Sequence, residues 1–366
     1  MFDLEKILDM AVAADASDLI LKAGSQPAMK VSGRVLFLSD DRLSCEEAQL
    51  VAREIAPEDC LQKFEAKGEV DFSYVGERAG RFRVNLFRQG GAPGMVMRQI
   101  KSTIPSFSEL NLPSQQFAHF ANLDRGIVFV TGVTGSGKST TLAAVVDTIN
   151  NTRNKHIITL EDPVEYTFED NLSIINQREV GTDTETFATG LRAAMREAPD
   201  VIMVGEIRDN DTMTAAIAAA ETGHLVLTTL HTVNAIQTVE RIQTFFPPHQ
   251  HGLIRLQLST VLAGVASQRL LPCLKTAGMV PAVELLIATP RVKELVFDGK
   301  TLELDKALQE GQEYYGTQTF NMSLKGHYEQ GMISLEDALA ASDNPEDLKL
   351  QIRGIQTGVS ASRLQV

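Results

Sequence analysis

Residues 132–139 read GVTGSGKS and match the phosphate-loop pattern G-x-x-x-x-G-K-[ST] at every fixed position. The motif follows the continuous apolar run 126–131, and a helix is predicted from about residue 138 to residue 150. Glycines let backbone N–H groups turn inward around phosphate oxygens, and a helix start adds partial positive charge. A chance glycine-rich turn is the alternative, but the order of strand, loop and helix favours a phosphate site.

The last two residues of this motif are suited to bind a nucleoside triphosphate with its metal ion. We predict that Lys138 reaches the β and γ phosphates and that the Ser139 hydroxyl binds Mg²⁺. The residues predicted to contact the nucleotide are Gly132, Thr134, Gly135, Ser136, Gly137, Lys138, Ser139 and Thr140.

Strands and helices alternate after residue 126, which predicts a parallel sheet covered by helices on both faces. Two acidic clusters follow apolar strands of this pattern, predicted over residues 156–160 and 201–204. Parallel sheets bind ligands at the carboxyl ends of their strands. Glu161 and Glu165 are the candidates for the general base. Glu206 is predicted to hold Mg²⁺ through water or to polarise the nucleophile. Ordinary surface turns are the alternative for both clusters.

The stretch 224–231 carries a histidine at each end of a predicted strand. His231 falls at the carboxyl end, where it is a candidate sensor of the γ-phosphate. His224 would lie roughly 23 Å away, at about 3.3 Å per residue, so the two imidazoles cannot share one role. We assign His224 to an interface, with a purely structural role as the alternative.

The amino-terminal stretch 81–87 alternates between basic or polar residues and apolar residues. A period of two places Phe82 and Val84 on one face and Arg81 and Arg83 on the other. The cationic face is either solvated or directed at an anion on a neighbouring domain.

Composition excludes several classes of protein. The 366 residues carry a net charge of −13, which gives no global attraction to nucleic acid or anionic lipid. Three scattered cysteines exclude a disulfide framework and a four-cysteine zinc site. No apolar stretch is long enough to span a membrane, and the first residues do not resemble a secretory signal, so we expect a cytosolic protein.

We predict an α/β chain with four regions. Residues 1–98 are predicted to form an α+β domain, which includes a strand over residues 29–38 and a helical block over about residues 45–67. Residues 99–125 are predicted to form a linker and the start of the core, and residues 126–280 a phosphate-loop core. Residues 281–366 are predicted to be mostly helical, with helix starts at Ser334 and Asn344.

Four further stretches make a family resemblance specific. They are LEDPVEY (160–166), INQREVG (175–181), DVIMVGEIRD (200–209) and TGHLVLTTLHT (222–232). With the phosphate loop, and with GRFRVN (80–85) near the amino end, the chain resembles the hexameric secretion ATPases. The resemblance is closest to the type IV pilus retraction (twitching motility) ATPases of the PilT/PilU type.

This resemblance implies a PAS-like amino-terminal domain joined to a RecA-like core with a helical carboxyl-terminal region. It implies a homo-hexameric ring that hydrolyses ATP with Mg²⁺ between the two domains and so powers pilus retraction. Arg81 and Arg83 match the family arginines that reach the nucleotide. The implied partners are an inner-membrane platform protein of the pilus and a paralogous retraction ATPase, and the implied location is cytoplasmic, peripheral to the inner membrane at the pilus base.

Several alternatives stay open at this point. A pilus extension or type II secretion ATPase usually carries a four-cysteine zinc motif, which this chain lacks. A RecA-like nucleic-acid motor is disfavoured by the acidic balance. A ring that binds nucleotide without hydrolysis is disfavoured by the intact Lys138, Glu165 and Glu206. Residues 290–298 resemble the accessory PilU type more than PilT, so both an independent motor and an accessory subunit remain as alternatives.

Overall fold

A computed structural model describes residues 2–31, 33–100, 103–276 and 278–354. The chain divides into two compact units. Met1–Thr103 and Glu165–Thr167 form the first unit, and Ile104–Val164 and Phe168–Val366 form the second. Among the described residues, no helix combines the length and the apolar character that crossing a membrane requires.

The first unit is built on a six-stranded sheet in the order β3-β2-β1-β6-β5-β4, in which every neighbouring pair is antiparallel. Its strands are β1 Asp18–Lys22, β2 Ala28–Val31, β3 Arg34–Phe37, β4 Glu69–Gly76, β5 Gly80–Gln89 and β6 Ala92–Gln99. Its helices are α1 Leu4–Ala13, α2 Cys45–Ile55 and α3 Glu58–Lys67. Apolar side chains of α1, α2 and the sheet form one buried core.

Two elements of this unit differ from the sequence prediction. The single strand expected over residues 29–38 is a hairpin of β2 and β3, whose turn includes Gly33 at φ +79°, while Ser32 lies outside the described residues. The helical block expected over residues 45–67 is two helices. Helix α2 ends at Ile55, and the next residue, Ala56, is extended at ψ 132°. Ala56 precedes Pro57, and proline disfavours the helical conformation of the residue before it.

The alternation predicted for β5 is confirmed. Phe82, Val84 and Leu86 are fully buried, whereas Arg81 and Arg83 lie on the other face of the strand and are partly exposed. The two arginines therefore share one polar face of the sheet.

The second unit contains a seven-stranded sheet in the order β13-β12-β7-β11-β10-β8-β9. All neighbouring pairs are parallel except β12 and β13, which are antiparallel. The strands are β7 Gly126–Thr131, β8 His156–Glu161, β9 Ile174–Glu179, β10 Val201–Val204, β11 Leu225–Leu230, β12 Leu262–Pro272 and β13 Met279–Ile287.

Helices cover both faces of this sheet, and each face has its own buried apolar cluster. The helices that precede β13 are α4 Ser114–Ala121, α5 Lys138–Thr152, α6 Phe187–Ala194, α7 Asn210–Glu221, α8 Ala235–Thr244 and α9 His251–Val261. Those that follow are α10 Pro290–Asp298, α11 Leu304–Glu310, α12 Gln312–Tyr315, α13 Phe320–Glu329, α14 Leu335–Ala341 and α15 Pro345–Ile352. Short 3₁₀ turns lie at Pro248–Gln250 and Thr301–Glu303.

The predicted fold class is confirmed as an α/β chain with a parallel-strand sheet and a helical carboxyl-terminal region. Three strands of the sheet, β9, β12 and β13, were not predicted. The helical region was expected to start at residue 281, which lies inside β13. A short buried apolar run such as that of β13 does not distinguish a strand from a helix. Helix α4 was also not predicted, although its Phe117 and Phe120 are fully buried.

Candidate nucleotide-binding site

The phosphate loop connects β7 to α5 through glycines in conformations that other residues rarely adopt. Gly132, Gly135 and Gly137 have φ of +147°, +80° and +90°. A Cβ atom on Gly132 would lie 2.4 Å from Ser136 Oγ and 2.5 Å from the carbonyl oxygen of Gln268. The loop therefore closes tightly only because residue 132 has no side chain.

Lys138 is the first residue of α5, and only 8% of its surface is exposed. Its Nζ donates to the carbonyl oxygens of Gly132, at 2.9 Å, and Val133, at 3.0 Å. The ammonium group thus lies beside the loop backbone, at the amino end of a 15-residue helix, where anions are favoured.

Buried polar groups surround the inner side of the loop. The Thr131 hydroxyl donates to Ser267 Oγ at 2.9 Å, and Gln268 Nε2 donates to Thr141 Oγ1 at 2.9 Å. Ser136 Oγ and Gln268 Oε1 are buried without a hydrogen-bond partner. A buried hydroxyl with an unused donor in a glycine loop fits a phosphate oxygen, so the residues present suit a nucleotide.

Glu161, one of the two candidate bases, ends β8 at the carboxyl edge of the sheet and is 7% exposed. Its Oε1 accepts hydrogen bonds from Thr159 Oγ1 at 2.7 Å and Gln177 Nε2 at 3.1 Å. These donors fix the carboxylate on a buried strand. Glu165, the other candidate, is exposed and belongs to the first unit.

Glu206 follows β10 and lies between the side chains of Arg208 and His231. Arg208 forms an ion pair with Oε1, and His231 Nε2 lies 3.4 Å from Oε2. The ion pair with Glu206 raises the pKa of Arg208. Because Glu206 is only 13% exposed while Arg208 is 67% exposed, the carboxylate is the fixed member of this group.

Backbone hydrogen bonds join these elements at one edge. Gly132 N donates to the carbonyl oxygen of Leu230 at 3.4 Å, which places the loop start beside the residue that precedes His231. Gly205 N donates to the carbonyl oxygen of Leu160 at 2.8 Å, beside Glu161. The phosphate loop, Glu161, Glu206 and His231 therefore lie at the carboxyl ends of neighbouring parallel strands, as the sequence predicts.

The remaining residues that the sequence analysis singled out are Arg81, Arg83 and His224. In the first unit, Arg81 Nη2 donates to Ser73 Oγ at 3.2 Å, and Arg83 Nε lies 3.7 Å from Asp71 Oδ1. His224 lies just before β11, and its Nδ1 is 2.8 Å from the carbonyl oxygen of Ala219. This contact supports the structural alternative for His224.

The model of the family "Type II/IV secretion system protein" matches residues 4–331. This chain belongs to that family. It is 41% identical to the type IV pilus ATPase PilU of Pseudomonas aeruginosa, over 96% of this chain and 91% of that protein. It is 40% identical to the type IV pilus retraction ATPase PilT of the same organism, over 94% and 99% of the two chains.

Solved structures of the family agree with the fold. The structure of a pilus retraction motor PilT with bound ADP matches with a TM-score of 0.89 and 44% identity, over 95% of this chain and 99% of that one. The ATPase DotB of Legionella pneumophila matches with a TM-score of 0.73 and 29% identity, over 96% and 95%.

Sequence reasoning missed several side chains of this site. They are Gln177, which contacts Glu161, and Arg208, which contacts Glu206. A third is Gln268, which contacts Thr141 of α5, the helix that begins with Lys138. Gln177 and Arg208 lie inside stretches that carry the family resemblance, and this was the available signal. Gln268 lies on β12, which was not predicted, so nothing in the sequence indicated its contact.

Proposed function

We propose that this chain is an ATPase that hydrolyses ATP to ADP and phosphate and powers type IV pilus retraction. The observation that carries the proposal is the match, over nearly the full length of both chains, to a retraction motor with bound ADP. The phosphate loop and the acidic edge, which Glu161 and Glu206 form at the carboxyl ends of β8 and β10, would supply the residues that such a reaction needs.

The proposed roles follow the geometry of the second unit. Lys138 and the loop amides bind the phosphates, together with Thr134, Ser136 and Thr140. When Mg²⁺ is bound with the nucleotide, it neutralises phosphate charge, and Ser139 would hold it directly and Glu206 through water. His231 contacts Glu206 and would report the presence of the γ-phosphate at that edge.

Glu161 is the general base that we favour. Two hydrogen bonds fix its carboxylate, which suits a group that must orient one attacking water. Glu165 remains the alternative base.

We further propose that Arg81 and Arg83 of the first unit reach the nucleotide and stabilise charge in the transition state. Both lie on one polar face of β5. An arginine that reaches the site on domain closure would couple hydrolysis to motion of the first unit. The amino-terminal domain of residues 1–98 and the core of residues 126–280 would then be the two moving parts.

The proposed assembly is a homo-hexamer at the cytoplasmic side of the inner membrane. Its proposed partners are the pilus platform protein and a paralogous retraction ATPase. Similarity to both PilU and PilT leaves independent and accessory motors as two forms of this proposal.

The second candidate function is pilus extension or type II secretion. Type II secretion system protein E of Pectobacterium carotovorum is 48% identical, but the match covers 54% of this chain and 38% of that protein. The match to PilT covers 94% and 99%. This difference in coverage favours retraction.

A deletion strain tests the proposal directly. We expect excess pili that do not retract, restored by wild-type protein and by Lys306→Ala, a surface control, but not by Lys138→Ala. Cells without pili would instead support the extension or secretion alternative. ATP hydrolysis strongly stimulated by single-stranded DNA would favour a nucleic-acid motor.

A further inference from the structure

Residues 231–235, which we call the histidine segment, join β11 to α8 and carry His231. Ala235 begins α8, and its backbone N–H donates to Glu284 Oε1 at 2.6 Å. Glu284 lies on β13 and is 7% exposed. A buried carboxylate of a distant strand therefore holds the end of this segment.

The Asn234 side chain caps the same helix by accepting from Gln237 N at 2.8 Å. With Glu284, two acceptors serve the amino end of α8, where negative charge is favoured. The position of the segment relative to β13 depends on Glu284, because the Asn234 cap is local to the helix.

Arg269 of β12 makes a second connection to the segment. Its Nη2 donates to the carbonyl oxygen of Val233 at 3.4 Å and to both carboxylate oxygens of Asp343 at 2.8 Å. Its guanidinium stacks on Phe320 of α13, 3.9 Å from the ring centre, and also donates to the carbonyl oxygen of Ala341. One side chain thus joins the histidine segment to three parts of the carboxyl-terminal helical region.

Glu284 faces the same region. It lines a cavity with Asp305, Asp343 and Asp347, which come from α11, from the loop before α15 and from α15. Arg269 contributes the opposing positive charge. The carboxyl-terminal helices and the histidine segment therefore share one group of charges, of which Glu284 is the buried member.

We propose that Glu284 and Arg269 are positioning residues that hold His231 against Glu206 and make this contact depend on the arrangement of the carboxyl-terminal helices. The functional part rests on the proposed ATP hydrolysis. The positional part concerns the structure of the histidine segment and can be measured without turnover.

The kinetic experiment compares phosphate release by Glu284→Ala, Glu284→Gln and Glu303→Ala. We expect kcat of Glu284→Ala to fall about tenfold or more with KM nearly unchanged, because a misplaced histidine loses contacts of the transition state. Glutamine keeps an acceptor for Ala235, so Glu284→Gln is expected to recover most of the turnover. Glu303 is exposed and pairs with Arg291, so its variant is expected to match the wild type.

Three kinetic outcomes would overturn the proposal. They are wild-type kcat in Glu284→Ala, equal losses in the alanine and glutamine variants, and an effect confined to KM.

Hydrogen exchange of the amides of residues 231–240 tests the positional part. We expect faster exchange in Glu284→Ala and Arg269→Ala, but wild-type exchange in Glu284→Gln and in the control Arg291→Ala, which removes only surface ion pairs. Unchanged exchange in both alanine variants would overturn the connection. An inactive wild-type protein that shows the expected exchange differences would refute the proposed ATPase function and leave the connection intact.

Discussion

The two sides of the candidate site are built in different ways. The phosphate loop is formed mainly by residues close in sequence, with glycine conformations and Lys138 contacts inside one short stretch. The acidic edge is held by residues far apart in the chain, such as Gln177 with Glu161 and Glu284 with Ala235. The structure of the loop therefore depends on its own stretch of sequence, whereas the structure of the edge depends on distant residues.

The largest expected effect comes from a substitution in the phosphate loop, the part of the site formed by residues close in sequence. Gly132→Ala places a Cβ atom within 2.5 Å of Ser136 Oγ and the Gln268 carbonyl oxygen. We expect nucleotide binding to be lost and the free energy of unfolding to fall by about 1–3 kcal/mol. Calorimetric titration with ATP and chemical denaturation measure the two effects.

The matched control is Gly223→Ala, which also has a positive φ, of +104°, but meets no atom within 4 Å. It should bind ATP normally and show only the cost of backbone strain. Normal ATP binding by Gly132→Ala would show that the loop tolerates a side chain.

The next effect separates the two candidate bases at the acidic edge. Glu161→Gln should lower kcat by about 10²–10⁴ while ATP binding is retained, because the proposed general base is lost and the phosphate loop is untouched. Steady-state phosphate release and nucleotide titration measure these quantities. A larger loss in Glu165→Gln than in Glu161→Gln would reverse the assignment of the base.

The third prediction concerns Glu284, which holds the end of the histidine segment from a distant strand. Burial raises the pKa of Glu284 from 4.5 to about 7. Between these values the unfolded chain releases a proton that the folded chain keeps, so the wild type loses stability as pH rises through this window. Glutamine does not titrate, so the stability of Glu284→Gln relative to the wild type should rise by roughly 3 kcal/mol from pH 4.5 to pH 8.

Urea denaturation at several pH values measures this difference. Glu303→Gln is the control, because it makes the same substitution at an exposed position. A difference between Glu284→Gln and wild type that is constant with pH would mean that burial does not perturb this carboxyl group.

The smallest expected effect concerns one side chain that supports the edge. Gln177→Ala removes a donor to Glu161 Oε1 and the acceptor of the Phe168 N–H, and it should cost about 1 kcal/mol, or a few-fold in kcat. Asn176→Ala is the control, since Asn176 contacts His156 instead. Equal kcat for the Gln177 variant and the wild type would show that the hydrogen bond from Gln177 does not orient Glu161.

The same contrast explains what the sequence could predict. The phosphate loop, β7 and β10 were predicted with their bounds because each depends on its own residues. The acidic residues were found because parallel strands share one carboxyl edge. Strands β12 and β13 have no alternating pattern, because both of their faces are buried. Since the sequence did not reveal these strands, it could not reveal the residues that they contribute, which are Gln268, Arg269 and Glu284.

The most direct test of the phosphate loop as the site of hydrolysis is phosphate release from saturating Mg²⁺ and ATP by purified wild-type protein and Lys138→Ala. We expect steady turnover by the wild type and none above background in the variant, with both proteins folded to the same melting temperature within error. Equal phosphate release by the two proteins would contradict the claim that the loop of residues 132–139 is the site of hydrolysis.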